Sequence, residues 1–329
     1  MKTVGLTYDL KTDYQFKEGD PSDANAEFDH PSTVDIIVSA IESNGFRVRK
    51  IGNAANLLSQ IDNLAVDIVF NISEGYTGRN RESQVPILLE MAGIPFVGSD
   101  ALTLGLTLDK IMAKKVFIAE GILTPKFFEI KSLDNLVDTD HLNFPLIVKP
   151  RFEGSSKGLS EKSRVENKDE LFRQADLIVN TYKQPALVEE FILGQEFTVA
   201  VIGNSPAQAL PSVQVEIDGS VDLGDKFYTF ARIASDKLKY ICPARISKEL
   251  EQKLREAAIK VYTAVDCLDL GRVDFRVDKA GNAYALEINP LPSLSTEDVF
   301  QTTAAAEGIT YQQMIGRILN FALVRHGLK

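Results

Sequence analysis

The stretch GRVDFRVDKAGNAYALEINPLPSLS, residues 271 to 295, sets Asp274, Glu287 and Asn289 among residues that otherwise read as apolar and pleated. GRVDFRVD and NAYALEINP are two β-runs joined by Lys279, Ala280, Gly281 and Asn282, a connection suited to a hairpin. Side chains two apart on a strand share a face, so Glu287 and Asn289 point the same way, and hairpin pairing can bring Asp274 beside them. Two carboxylates and an amide oxygen suit a hard cation, Mg²⁺ or Mn²⁺, which keeps waters and takes its remaining ligands from phosphate oxygens. The same residues also fit the solvated face of an ordinary hairpin, and spacing alone leaves both readings open.

Around this hairpin lies a chain of 329 residues, long enough for two or three domains. With 44% apolar and 25% charged residues it falls in the soluble globular class. There is no apolar run of membrane-spanning length, and MKTVGLTYDLKTDYQ lacks the unbroken core of a secretion signal, so the expectation is a cytoplasmic protein without a membrane partner. Two cysteines (Cys242, Cys267) and three histidines (His30, His141, His326) suggest neither a disulfide framework nor zinc. A net charge of -10 with no basic block points away from nucleic acid and toward a small-molecule partner.

TVGLTYDL (3 to 10) and VDIVFNIS (66 to 73) read as strands, with a helix over STVDIIVSAIESNGF between them, giving a β-α-β unit. QVPILLEMAGIPFVGSD adds a helix stopped by Gly93 and Pro95 and then a strand, so residues 1–100 form an open α/β domain whose ligand edge is the loops after the strands. One helix over ALTLGLTLDKIMAKKVFIAEG leads into an α+β region, 101–185, holding TPKFFEI, FPLIVKPRFEGSSKGLSEK and a helix that Asp169 helps start. Residues 186–329 form a second, strand-rich α+β region with helices over 247–266 and TYQQMIGRILNFALVRHG.

Two further motifs carry chemistry. In IVKPRFEGSSKGLS (147 to 160), Lys149 at a strand end precedes a loop with Gly154, Ser155, Ser156 and Gly158, whose amides and hydroxyls can surround phosphate oxygens. It is not a Walker loop, and alone it reads more readily as a flexible turn. In LVEEFILGQEFTVAV (187 to 201), Glu189, Glu190 and Glu196 could accept from a ribose, and the backbone near Glu190 and Ile192 could read an adenine edge; the bland reading is a charged edge strand.

Taken in order, Lys149 with its Ser-Gly loop, E-E-F-x-x-G-x-E-F, R-V-D-F and L-E-I-N-P resemble the ATP-grasp superfamily, and more closely the D-alanine:D-alanine ligase family. The likeness extends through GIPFVGSDALTLGLTLDKIMAKK (93 to 115), YICPA (240 to 244) and AAAEGITYQQMIGRIL, and so covers most of the chain from residue 84. It implies an ATP-grasp fold: an N-terminal open α/β domain for substrate and dimerisation, and two α+β subdomains sandwiching ATP. It also implies a ligase that joins a small carboxylate to an amine, with an amino acid as one substrate, through an acylphosphate, and a homodimer.

By the same resemblance Lys110 and Lys149 hold phosphate oxygens, while Glu153, Ser155 and Ser156 belong to the mobile phosphate lid. Glu189 and Glu196 face the adenosine, with Glu190 and Ile192 at the base. Asp274, Glu287 and Asn289 bind two Mg²⁺ or Mn²⁺ ions. Arg272 steadies the tetrahedral oxyanion, and Ser155 and Arg232 join it as catalytic residues. Substrate contacts fall to Glu74, Arg81 and Glu82 on one side and to Ser293, Ser295 and Asp298 on the other.

The departures concern substrates. Pro292 and Ser293 stand where N-x-x-P-G is expected, and the serine that grips the second substrate's carboxylate falls on Asp298, an acid that would favour an amine or hydroxyl. Arg232 and Ile233 replace the family's Lys-Tyr before YICPA. TYDLKTDY and NISEGYTGRNRES replace its Gly-rich loop and His-Gly segment, so Glu74, Arg79, Arg81 and Glu82 form either an alternative first-substrate loop or a solvated charge cluster. A peptide- or protein-modifying ligase and a silent nucleotide-binding regulator are the competing functions; retention of all three metal ligands and Lys149 argues against the regulator.

Overall fold

The computed structural model describes residues 1–133, 142–229, 237–296 and 298–329. The chain opens with β1 (Thr3–Thr7), α1 (Pro31–Ser43), β2 (Arg47–Gly52), α2 (Ala54–Gln60), β3 (Ile68–Asn71), α3 (Gln84–Ala92) and β4 (Phe96–Val97), whose strands form a parallel sheet in the order β2-β1-β3-β4. Pro31 starts α1, where its missing N–H costs nothing, and Gly93, with φ 66°, ends α3. The sequence reading joined α1 directly to β3 and passed over β2 and α2. RVRKIG is a charged edge strand with only Ile51 fully buried, so it carries no apolar alternation to read.

The expected helix over 101–121 is two helices, α4 (Ala101–Leu108) and α5 (Lys110–Ala119), broken at Asp109. The buried Asp109 carboxylate accepts the Met112 N–H and takes a two-pronged contact from Arg151, which outweighs the helical propensity of the flanking residues. Next come β5 (Phe127–Ile130), β6 (Leu146–Pro150), β7 (Arg164–Val165), α6 (Lys168–Thr181) and β8 (Ala186–Glu190), an antiparallel sheet in the order β5-β8-β6-β7 with α6 on one face. Asn167, not Asp169, caps α6 by accepting the Glu170 N–H.

The third sheet is antiparallel. Its strands are β9 (Gln195–Ile202), β10 (Gln208–Ala209), β11 (Val213–Ile217), β12 (Leu238–Ile241), β13 (Leu270–Val277) and β14 (Ala283–Asn289), in the order β12-β11-β9-β13-β14 with β10 on β9. α7 (Lys248–Ala264), started by the Ser247 cap, seals one face through Leu254, Ala258, Val261 and Tyr262 against Val199, Val273 and Phe275. α8 (Val299–Ala306) and α9 (Tyr311–Arg325) then cross to the first sheet, where Met314, Ile318 and Leu319 share a core with Val4, Ile37 and Phe70. The architecture is thus α/β and α+β, as expected, with the C-terminal helices completing the N-terminal core.

Candidate active site

The hairpin of β13 and β14 places its polar residues by register. Asp274 pairs with Glu287 and Arg272 with Asn289, but Phe275 pairs with Ala285, so β14 carries a one-residue bulge. Without it the strand would slip by one and turn Glu287 to the opposite face from Asp274. On the other side of β13, Asp274 faces Thr198, whose hydroxyl donates to it at 2.6 Å, and the Asn289 amide donates at 3.0 Å. The hairpin face is therefore not an ordinary solvated one: Asp274 and Glu287 are partly buried, and each meets a cation. Arg272 grips Asp274 through Nε and Nη2, both at 3.1 Å, and Lys110 reaches Glu287 at 2.9 Å.

These pairings set the electrostatics. Burial alone would raise the Glu287 carboxyl, but Lys110 and Lys149 overcome it and bring it down to about 2. Burial prevails at Asp274, whose carboxyl stays above its ordinary value despite Arg272. Arg272 is held firmly protonated by Asp274 and Asp298 against its own burial. Among the described residues no three acidic, histidine or cysteine side chains cluster as a ready metal cage. Two carboxylates and the Asn289 oxygen fit instead a hard cation that completes its shell from phosphate and water.

The helix break at Asp109 puts Lys110 on the first turn of α5, aimed at Glu287, while Lys149 ends β6 beside β8. Glu189, 1% exposed, lies between Lys149 and Lys114, both at 2.5 Å. The Lys pair holds its carboxyl below the ordinary value against burial, and burial drives the Lys114 ammonium down to about 8. Glu189, expected to face the adenosine, is thus engaged by two lysines rather than free. Lys114, one turn after Lys110, was not singled out from sequence, although the i, i+4 spacing in KIMAKK carries it. Glu196 likewise is spoken for: it meets Arg276 at 3.0 Å, and burial raises its carboxyl to about 7. Glu190 is half-buried, accepting the Asn143 N–H at 3.2 Å, and Ile192 follows it at the end of β8.

The Gly-Ser loop after β6 holds Ser155 and Ser156 at φ 47° and 54°. Glu153 accepts from Gln184 and Lys157 at 2.7 and 2.8 Å, and the Gly154 N–H donates to Glu27 at 2.6 Å. The expectation of a lid at 150–158 loose without nucleotide meets a loop pinned by several hydrogen bonds. Arg232, expected as a catalytic residue, and Ile233 lie outside the described residues.

The 74–82 segment resolves one alternative. Arg81 and Glu82 are buried, not solvated: Arg81 donates to Glu27 at 2.5 Å and to the Phe152 carbonyl at 2.8 Å, tying the first sheet's loops to the phosphate loop. Burial and neighbouring acids push Glu74 well above its ordinary value and bring Glu82 to about 7. Of its charged residues Arg79 is exposed, pairing with Asp109 and lying over the Phe152 ring. On the other side Asp298 caps α8 by accepting the Val299 N–H at 2.6 Å and lies 3.6 Å from Arg272. Ser293 is exposed and accepts the Ser295 N–H at 3.4 Å.

Two antiparallel sheets with buried lysines paired to acids, an Asp-Glu-Asn hairpin and a Gly-Ser loop match the ATP-grasp ligases, enzymes that form a C–N bond at the expense of ATP. A family model described as D-ala D-ala ligase C-terminus matches residues 119–320. A D-alanine–D-alanine ligase of Carboxydothermus hydrogenoformans is 33% identical over 302 residues, 88% of this chain and 92% of that protein. The chain belongs to the D-alanine–D-alanine ligase family. A protein of Sinorhizobium fredii described as uncharacterized protein y4sG is 38% identical over 259 residues, 79% of this chain and 75% of its own length. The crystal structure of the D-alanine–D-alanine ligase from Bacillus anthracis complexed with ATP superposes with a TM-score of 0.78 at 23% identity, covering 100% of both chains, and so shares the fold.

Proposed function

We propose that this ligase activates a small carboxylate as an acylphosphate and passes the acyl group to the amine of an amino acid, with substrates that differ from a pair of D-alanines. The observation that carries the reading is the gathering of Lys110, Lys149 and Arg272 around the paired Asp274 and Glu287. Lys110 and Lys149 hold the triphosphate, the Ser155–Ser156 turn covers it, and bound divalent ions at Asp274, Glu287 and Asn289 supply charge neutralisation during phosphoryl transfer. The substrate carboxylate attacks the γ-phosphorus and ADP leaves; the amine then attacks the acyl carbon and phosphate leaves. Arg272 stabilises the oxyanion of that second step. No protein nucleophile is required, because positioning and exclusion of water supply the rate.

Substrate choice rests on two places. Asp298 stands beside Arg272, where its negative charge disfavours a second-substrate carboxylate and favours an amine or hydroxyl. Glu74, Arg81 and Glu82 line the loop after β3, on the first-substrate side. We further propose the three-part division 1–100, 101–185 and 186–329, and a homodimer through the first part, supported by the exposed Ile87, Met91 and Leu102 on α3 and α4. Among the described residues no helix is long and apolar enough to cross a membrane. The test is phosphate release from Mg·ATP across D- and L-amino acids, singly and in pairs, with mass spectrometry of the products. Dipeptide from D-alanine alone would sink the altered-substrate part, and no ADP with any pair or with peptide acceptors would sink the ligase reading.

A further inference from the structure

Residues 8–30 connect β1 to α1, and Asp23 and Glu27 among them reach across to the loop after β6. Asp23, 5% exposed, accepts the Gly158 N–H at 2.8 Å and the Tyr182 hydroxyl at 3.0 and 3.1 Å. Gly158 has φ 77° and lies so close to the Pro150 and Tyr182 rings that an added Cβ would come within 2.5 Å of the proline. Between Gly154 and Gly158 the two serines hold left-handed φ values that residues with a Cβ seldom adopt, and such a conformation persists only where its surroundings over-determine it. The Lys157 N–H closes one turn on the Gly154 carbonyl and the Leu159 N–H another on the Ser156 carbonyl, at 2.9 and 3.0 Å. The Ser155 and Ser156 amides donate to no acceptor among the described residues.

Asp23 is itself anchored. Its carbonyl accepts the Ala26 N–H at 2.9 Å, and the segment is seated by Phe28 against Tyr76, with ring centroids 4.8 Å apart, and by the Asp29 N–H on the Asp9 carbonyl. The segment therefore joins the first sheet rigidly to the far end of the loop.

We propose that Asp23 is a positioning residue for nucleotide binding: by fixing Gly158 and Tyr182 it holds the left-handed Ser155–Ser156 pair with both amides free to meet the phosphates of ATP. This rests on reading 154–158 as the phosphate loop. The N-terminal segment thereby takes part in the nucleotide site as well as the substrate side.

The test compares the full-length chain with Asp23→Ala, Asp23→Asn and Tyr182→Phe, titrated with Mg²⁺ and a non-hydrolysable ATP analogue, and separately with adenosine. Loss of a charge-assisted contact that orders the loop should weaken the triphosphate analogue about tenfold in Asp23→Ala. Adenosine, which does not reach the loop, should bind as in the parent. Asp23→Asn keeps an acceptor oxygen and should recover most of the affinity, and Tyr182→Phe should fall between. Equal weakening of analogue and adenosine, or no change in either, would overturn the role of Asp23. A parent chain that binds adenosine but gains nothing from the triphosphate would overturn the phosphate-loop reading instead. Should Asp23→Ala not fold, the Asp23→Asn and Tyr182→Phe titrations decide alone: unchanged analogue affinity in Tyr182→Phe overturns the proposal.

Discussion

Replacing Glu189 by Gln should destabilise the protein more than any other single change at the nucleotide cleft. Its carboxylate sits between Lys114 and Lys149, all three nearly sealed from water, and the glutamine would leave two ammonium groups facing a neutral amide. Removing one partner of a buried ion pair costs about 3–5 kcal/mol, because the remaining charge stays desolvated. In a chain of this size about 2 °C of melting temperature accompanies each kcal/mol, which gives a fall of roughly 6–10 °C. The deficit should depend on pH. Burial already brings Lys114 to about 8, and loss of Glu189, which favours its charged form, lowers it further. Between that value and the ordinary lysine range the unfolded chain binds the extra proton, so stability rises with pH there. The gap between variant and parent should therefore narrow from pH 7 to pH 9. Lys114→Met added to Glu189→Gln should restore part of the loss. Differential scanning calorimetry at the two pH values decides: a variant within 2 °C of the parent at pH 7, or a gap that widens at pH 9, would refute the reasoning.

Glu287→Gln should abolish turnover while shifting the melting temperature by no more than a few degrees, since Lys110 loses a partly exposed partner; steady-state assay beside calorimetry reads both. Asp298→Ser should move the second-substrate preference toward a carboxylate-bearing amine by about tenfold in kcat/KM, the worth of one charged contact, measured on the amino-acid panel. Glu196 has its carboxyl raised by burial to about 7, so it contributes stability that is complete below its ordinary value and lost as pH rises through 7. Glu196→Gln should flatten the fall in melting temperature between pH 5 and pH 7. Gly194→Ala should cost several kcal/mol or prevent folding, on the order of a severe backbone clash, because its Cβ would lie 2.0 Å from the Val277 carbonyl oxygen at φ 149°; soluble yield and circular dichroism would show it.

The hairpin at 271–295 was legible because the strand alternation and the spacing of its polar residues are local, and the Gly-Ser loop because glycine and serine advertise a turn. Their meaning came only from order along the chain. What stayed hidden depends on contacts distant in sequence. The bulge that aligns Glu287 with Asp274 has no composition signal in YALEIN, and β2 hides because an edge strand need not be apolar. The break at Asp109 is set by Arg151, forty-two positions on, which overrides a continuous helical pattern. Glu189 and Glu196 read as free acids because their partners, Lys114 and Arg276, lie on other elements. The charged string EGYTGRNRE gave no sign that Arg81 is buried while Arg79 is not, since that depends on Glu27 arriving from the preceding loop.

The crossing of α9 to the first sheet has a consequence for how the chain is made. The Asn44 amide that closes α1 donates to the Gln312 carbonyl, 268 positions away, and the core that holds Ile37 and Ile41 of α1 against the first sheet is completed by α9. During synthesis the first sheet and its helices leave the ribosome with that core incomplete, and at roughly 5–20 residues per second it stays so for tens of seconds. The N-terminal unit is thus an early-made, late-finished body. A stall between β14 and α9 would leave the site hairpin made while part of the N-terminal core still lacks its last helix.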